Sequence, residues 1–139
     1  MISFLICAFN EEKNIKTTIE NIYESINKVK FIDKFEIVIV NDGSEDLTEK
    51  IVQDLKLNDE NIVYCKNEKN LGLGKSIKKG LEHIKYSKFM IIPADNAMPI
   101  DTITLALKRY HSADLIMVFP INPEHRSMIR NIASIIFRL

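Results

Sequence analysis

Five short apolar runs, each almost continuous and separated from the next by a stretch of helical period, set the tightest limit on how this chain can fold. They occupy residues 3–9, 35–40, 61–65, 89–92 and 114–119 and are rich in Ile, Val and Phe. Continuous rather than alternating apolarity is the pattern of parallel strands covered on both faces. Between them, residues 14–28 place Ile15, Ile19, Ile22 and Ile26 on one helical stripe. Residues 47–57 repeat this with Ile51 and Leu55, and residues 75–84 with Ile77, Leu81 and Ile84. Residues 100–110 and 123–139 are the fourth and fifth candidate helices. Strand and helix in strict alternation predict βαβ units, a parallel sheet and right-handed crossovers. The length of 139 residues suits one α/β domain spanning 1–139.

The bulk numbers narrow the function classes. Hydrophobic residues make up 46% of the chain and charged residues 27%, which excludes a mostly disordered protein. Nineteen basic residues balance nineteen acidic ones, without the basic excess that marks a nucleic-acid binder. Cys7 and Cys65 sit in separate apolar runs, and their spacing fits neither a zinc site nor a redox pair. With a strand between them they would stand roughly 9–10 Å apart, too far for a disulfide. The first apolar run ends within about eight residues, far short of a membrane span, and no basic stretch or cleavage site precedes it. The expectation is a cytoplasmic chain, soluble or peripheral to the inner face of a membrane.

In open parallel sheets, ligands bind beyond the carboxyl ends of the strands. Polar clusters fall at those ends here: Asn10-Glu11, Asn41-Asp42-Gly43-Ser44, residues 67–74, and Asp95-Asn96. In the second, Gly43 suits the turn, and Asp46 with Glu49 three residues on reads as a capping box. Neither explains Asp42, whose carboxylate at a strand tip can accept from a nucleobase N–H or ribose hydroxyls. In Asn70-Leu71-Gly72-Leu73-Gly74-Lys75 the glycines admit a close ligand and the helix start favours an anion. A plain loop-to-helix junction explains that segment equally. Asp95, with Asn96, reads either as a turn or as the carboxylate that a hard cation on a diphosphate requires. His83, His111 and His125 share no spacing of a metal site or acid–base pair. The clusters at 28–34 and 66–69 read as solvated surface.

Together these segments resemble the family 2 glycosyltransferases of the GT-A fold, and among them the dolichyl- and polyprenyl-phosphate mannose (sugar) synthases. The family's opening Pro-Ala-Tyr-Asn-Glu-Glu-like stretch is matched by Cys7-Ala8-Phe9-Asn10-Glu11-Glu12. Its Val-Asp-Asp-Gly-Ser-x-Asp-x-Thr pattern is matched from Val40 to Thr48, and its Asn-x-Gly-x-Gly segment by Asn70, Gly72 and Gly74, with Gly80 later in the helix. Ile92-Pro93-Ala94-Asp95 stands where the family has its Asp-x-Asp motif. The resemblance implies a Rossmann-like GT-A nucleotide-diphospho-sugar transferase fold, with helices on both faces of a parallel sheet. It also implies a hexosyltransferase that moves a sugar from a nucleoside-diphosphate sugar to an acceptor with inversion. Phe9, Glu11, Asp42, Ser44 and Lys75 would bind the nucleotide. Asp95, with Asn96, would hold Mg²⁺ or Mn²⁺ on the diphosphate.

Arg126-Ser127-Met128-Ile129-Arg130 resembles a stretch of the polyprenyl-phosphate branch. That implies a lipid-phosphate acceptor, with Arg126 and Arg130 on its phosphate. Departures qualify the match. Pro93 replaces the first acid of the metal motif, Phe9 replaces Tyr, Asn41 replaces Asp and Cys7 replaces Pro. Family members continue well beyond a fifth strand, so the acceptor-side region is expected to be largely absent from a truncated, donor-binding part. The alternative is a catalytically incomplete nucleotide-sugar-binding module that acts with a partner chain. Two further expectations follow. Asp42 and Asp95, as strand-tip carboxylates, should matter for binding rather than folding. Residues 123–139 are apolar nearly all round, which predicts a homodimer in solution and peripheral membrane contact.

Overall fold

Ile, Val and Phe crowd the first four apolar runs, and each run finds a parallel neighbour that takes up its backbone N–H and C=O groups. In a computed structural model describing residues 1–118, these runs are β1 (Ile2–Ala8), β2 (Phe35–Asn41), β3 (Ile62–Lys66) and β4 (Phe89–Pro93). They form one parallel sheet in the order β3-β2-β1-β4. Helices α1 (Ile15–Val29), α2 (Thr48–Leu57), α3 (Leu73–Leu81) and α4 (Ile100–Lys108) alternate with the strands. The chain steps outward from β1 to β3 and then returns to lay β4 on the other side of β1. That reversal opens a crevice beyond the carboxyl ends of β1 and β4.

Strand side chains alternate between the two faces, and both faces are covered. Phe4, Ile6, Ile37, Ile39 and Ile92 pack under the stripe of α1 and against Val52 of α2 and Ile103 and Leu107 of α4. On the opposite face Leu5, Val38 and Val40 meet Ile77 of α3 and the following Ile84. Helix α3 lies so close that a Cβ on Gly80 would fall 2.2 Å from Leu5 Cδ1. Cys7 pairs with Val40, and Val40 with Cys65, in one register row, so the free thiols stand two strands apart.

Three local expectations are corrected. Residues 114–118 form no strand, and Leu115 is 75% exposed. A strand persists only where a neighbour pairs its backbone groups, and no described segment pairs with these residues. Helix α3 begins at Leu73 rather than Lys75, because Gly72, at φ 88°, makes the turn into it. The capping box does not form. Leu47 stands at the N-cap of α2, and Asp46 accepts from the Thr48 N–H (2.9 Å) and hydroxyl (2.5 Å) and from the Glu12 N–H (3.0 Å). Among the described residues no helix is long and apolar enough to cross a membrane. The candidate helix at 123–139, with Arg126 and Arg130, lies outside the described residues.

Candidate functional site

Two loops at the carboxyl edge are zipped together by polar side chains. Asn10, at φ 56°, donates its N–H to Ser44 Oγ (3.0 Å), and its Oδ1 accepts from the Glu45 N–H (2.9 Å). The Glu11 N–H reaches Thr48 Oγ1 at 2.8 Å, and Glu12 Oε2 accepts from the Leu47 N–H at 3.0 Å. These bonds fix the β1–α1 and β2–α2 loops against each other and hold Phe9 and Glu11 at the crevice. Ser44, expected on the nucleotide, is engaged in this zip, and its own N–H goes to Asn41 Oδ1 at 2.8 Å.

Asp42 is buried at 4% exposure and carries three donors. Its Oδ1 accepts from Asn67 Nδ2 (2.8 Å) and the Leu71 N–H (2.9 Å), and its Oδ2 from the Gly72 N–H (2.9 Å). Burial works to raise its carboxyl, but the bonds from Leu71, Asn67 and Gly72, with the Ser76 hydroxyl close by, prevail and hold it below its ordinary value. The loop before α3, expected to present N–H groups to a ligand's anion, therefore spends two of them on an anion of its own chain. Gly43 permits this closure, since at φ 75° its missing Cβ would lie 2.5 Å from the Lys69 carbonyl carbon. The expectation that Asp42 matters for binding rather than folding is thus revised. A carboxylate has about four accepting positions. Three are filled here, leaving one on Oδ2 for a ligand.

Asp95 is the opposite case. It is exposed, its Oδ1 accepts from the Ala97 N–H at 3.0 Å, and its Oδ2 has no protein donor among the described residues. Asn96 does not join it: its backbone is left-handed at φ 57°, and its Oδ1 accepts from Asn21 Nδ2 of α1 at 2.7 Å. No group of three or more His, Cys, Asp or Glu among the described residues could hold a metal ion. One free carboxylate is nevertheless enough for a cation that a diphosphate brings with it, since Mg²⁺ is commonly held through one or two carboxylates plus phosphates and water.

The crevice has two compartments sharing a wall of Cys7 and Leu73. The smaller, about 140 Å³, is lined also by Ala8, Phe9, Asp42, Asn70 and Gly72. The larger, about 310 Å³, adds Glu11, Asp95, Met98 and residues 91–94. The predicted residues Phe9, Glu11, Asp42 and Asp95 are thereby brought together. Lys75 is not: it is exposed on the first turn of α3 and lines neither compartment. Glu11 Oε2 accepts from Asn14 Nδ2 at 2.9 Å. Burial, with Asp42 and Cys65 nearby, pushes the Cys7 thiol up to about 11, so it is an uncharged wall at neutral pH and no nucleophile. Sequence reasoning placed Asn67 in the polar cluster at 67–74 without giving it a role and missed Ser76 and Lys79; all three stand behind Asp42. Asn67 lies in the cluster read as solvated surface, yet it is buried, and Lys66 there pairs with Glu49 at 2.5 Å. The available signal was position: Asn67 directly follows β3 as Asp42 follows β2.

Comparison with known proteins places the whole chain rather than single residues. Dolichyl-phosphate beta-glucosyltransferase ALG5D of Trichomonas vaginalis is 32% identical over 107 residues, covering 75% of this chain and 33% of that protein. The structure of S. aureus TarS 1-349 in complex with UDP-GlcNAc matches with a TM-score of 0.66 and 26% identity, over 91% of this chain and 36% of that one. The mannosyltransferase PcManGT of Pyrobaculum calidifontis, in complex with GDP-Man and Mn²⁺, shares the fold at a TM-score of 0.66 and 24% identity, over 77% of this chain and 31% of its own. The chain spans about a third of the length of the curated relatives it matches. Residues 3–137 match the family described as Glycosyl transferase family 2, and the chain belongs to that family.

Proposed function

We propose that this chain binds a nucleoside-diphosphate sugar across the two compartments and serves the transfer of that sugar, with inversion, to a polyprenyl phosphate. The observation that carries the reading is the pairing of an almost saturated carboxylate, Asp42, with a free one, Asp95, in adjoining compartments of one crevice. Asp42 accepts a nucleobase N–H through its remaining position, and Phe9, 42% exposed, offers the base an aromatic face. Glu11, backed by Asn14, faces the larger compartment, where the sugar and diphosphate sit. Asp95 would hold a divalent cation, Mg²⁺ or Mn²⁺, which when bound supplies Lewis-acid charge to the departing diphosphate. Ser44 supports the nucleotide through the loop zip, and Lys75 adds long-range positive charge from the first turn of α3. The acceptor phosphate is already an anionic nucleophile, so it requires cationic positioning, assigned to Arg126 and Arg130, rather than a general base.

The names of relatives support a sugar donor and a dolichyl-phosphate-type acceptor. A homodimer with peripheral membrane contact through residues 123–139 completes the reading. Light scattering and liposome flotation of the intact chain and of one ending before Pro123 test that part. The central test incubates the chain with UDP-glucose, UDP-GlcNAc or GDP-mannose, Mn²⁺ and a polyprenyl phosphate. Release of nucleoside diphosphate and a glycosylated lipid is expected. Binding without transfer would favour a donor-binding module that acts with a partner chain, and absence of binding would overturn the reading.

A further inference from the structure

Behind Asp42 stands a side chain whose own partners have no part in the reading above. Asn67 follows β3, is buried at 4% exposure, and has both amide hydrogens engaged: one on Asp42 Oδ1 at 2.8 Å and one on Ser76 Oγ at 2.9 Å. Its Oδ1 accepts from Lys79 Nζ of α3 at 3.0 Å, and the same ammonium donates to the Lys66 carbonyl. Its backbone N–H is fixed on the Asn41 carbonyl at 2.8 Å. The orientation of the amide is not arbitrary. An ammonium only donates and an ionised carboxylate only accepts, so oxygen must face Lys79 and nitrogen must face Asp42.

We propose that Asn67, polarised by Lys79, is a positioning residue that delivers the positive charge of α3 to Asp42 and fixes that carboxylate for the nucleobase N–H. The inference rests on the nucleotide reading of the crevice. A lysine in direct contact with Asp42 would compete with the base for the carboxylate. An intervening amide stabilises the ionised form while occupying only one of its accepting positions. The other titratable group facing Asp42 is Cys7 of β1, whose thiol is uncharged at neutral pH, and Ser76 on α3 is neutral. Networks of this kind lose more than one bond when a single member is changed.

Two variants test it, with UDP and GDP in Mn²⁺ as probes and every affinity divided by that of the unaltered chain at the same pH. Asn67→Asp keeps the acceptor for Lys79 but sets a second carboxylate against Asp42, so the pair must share a proton. Binding is expected to weaken about tenfold or more at about pH 8 and to recover most of that loss by about pH 5.5, as the pair takes up its proton. Lys79→Met removes the charge from the far end and should weaken binding by roughly threefold with no such recovery. A purely structural role for Asn67, with no charge relayed from Lys79, predicts an unchanged affinity in Lys79→Met, and that result overturns the proposal. So does an Asn67→Asp loss of the same size at every pH. If Asn67→Asp does not fold, an unchanged affinity in Lys79→Met overturns it alone. Failure of the unaltered chain to bind either nucleotide would remove the underlying reading and this inference together. Binding by the unaltered chain with a pH-independent Asn67→Asp defect removes only the inference.

Discussion

Asp42 and Asp95 follow β2 and β4, which flank β1 in one sheet, and both face one crevice, yet the fold treats them in opposite ways. Asp42 is buried and takes donors from Asn67, Leu71 and Gly72, so it is the clasp of the loop before α3 as well as the proposed ligand group. Asp95 is exposed and accepts one turn N–H from Ala97. The difference follows from what surrounds each strand tip. Beyond β2, the β3–α3 loop crosses close enough for its backbone to touch Gly43, which places N–H groups around the carboxylate. Beyond β4, the short turn to α4 leaves one oxygen free. Position at a strand end marks a carboxylate as available to a ligand; the neighbouring loop decides whether it also holds the fold together.

The contrast breaks first at Asp42. Asp42→Asn puts an amide nitrogen against at least one N–H donor, and should cost about 2–4 kcal/mol in urea unfolding, the scale for leaving partners of a buried charge unmatched. An unchanged midpoint would return Asp42 to a binding role alone. Asp95→Asn should leave the melting temperature unmoved while weakening Mn²⁺-dependent nucleotide binding by about 1–3 kcal/mol in calorimetric titration. Acid provides a subtler separation. Because the Asp42 carboxyl is held below its ordinary value, its contribution to stability is complete above that ordinary value and is lost as pH falls through the lowered one. Hydrogen exchange at the Leu71 and Gly72 amides should therefore stay protected at mildly acidic pH and open only below the usual carboxylate range. Lys75→Ala should change nucleotide affinity by less than about 0.5 kcal/mol, as for an exposed charge. A larger loss would place Lys75 on the phosphates.

The sheet was legible because its strands are short, apolar and covered on both faces, and because Ile15, Ile19, Ile22 and Ile26 mark one helical stripe without ambiguity. Residues 114–118 carry an equally apolar pattern and form no strand, since a pattern says what a segment would bury and nothing about whether a neighbour will pair with it. Phe9, Glu11, Asp42 and Asp95 were legible by position and by family likeness. Asn67, Ser76 and Lys79 were not. They act on Asp42 from 25 or more residues away, as with the Asn67–Asp42 separation of 25, and a contact made through folding leaves no local period or spacing to read. Asn96 failed as a partner of Asp95 for a similar reason: its side chain is claimed by Asn21, 75 residues earlier.

In the proposed reading the crevice beyond β1, β2 and β4 takes a nucleoside diphosphate with its cation on Asp95. The most direct test of that reading is a calorimetric titration of the unaltered chain with UDP and GDP, in Mn²⁺ and again in EDTA. Saturable binding of one of them at a single site, weakened about tenfold or more by EDTA, is the predicted result. Affinity that is the same in Mn²⁺ and EDTA, or no binding of either nucleotide, would contradict it.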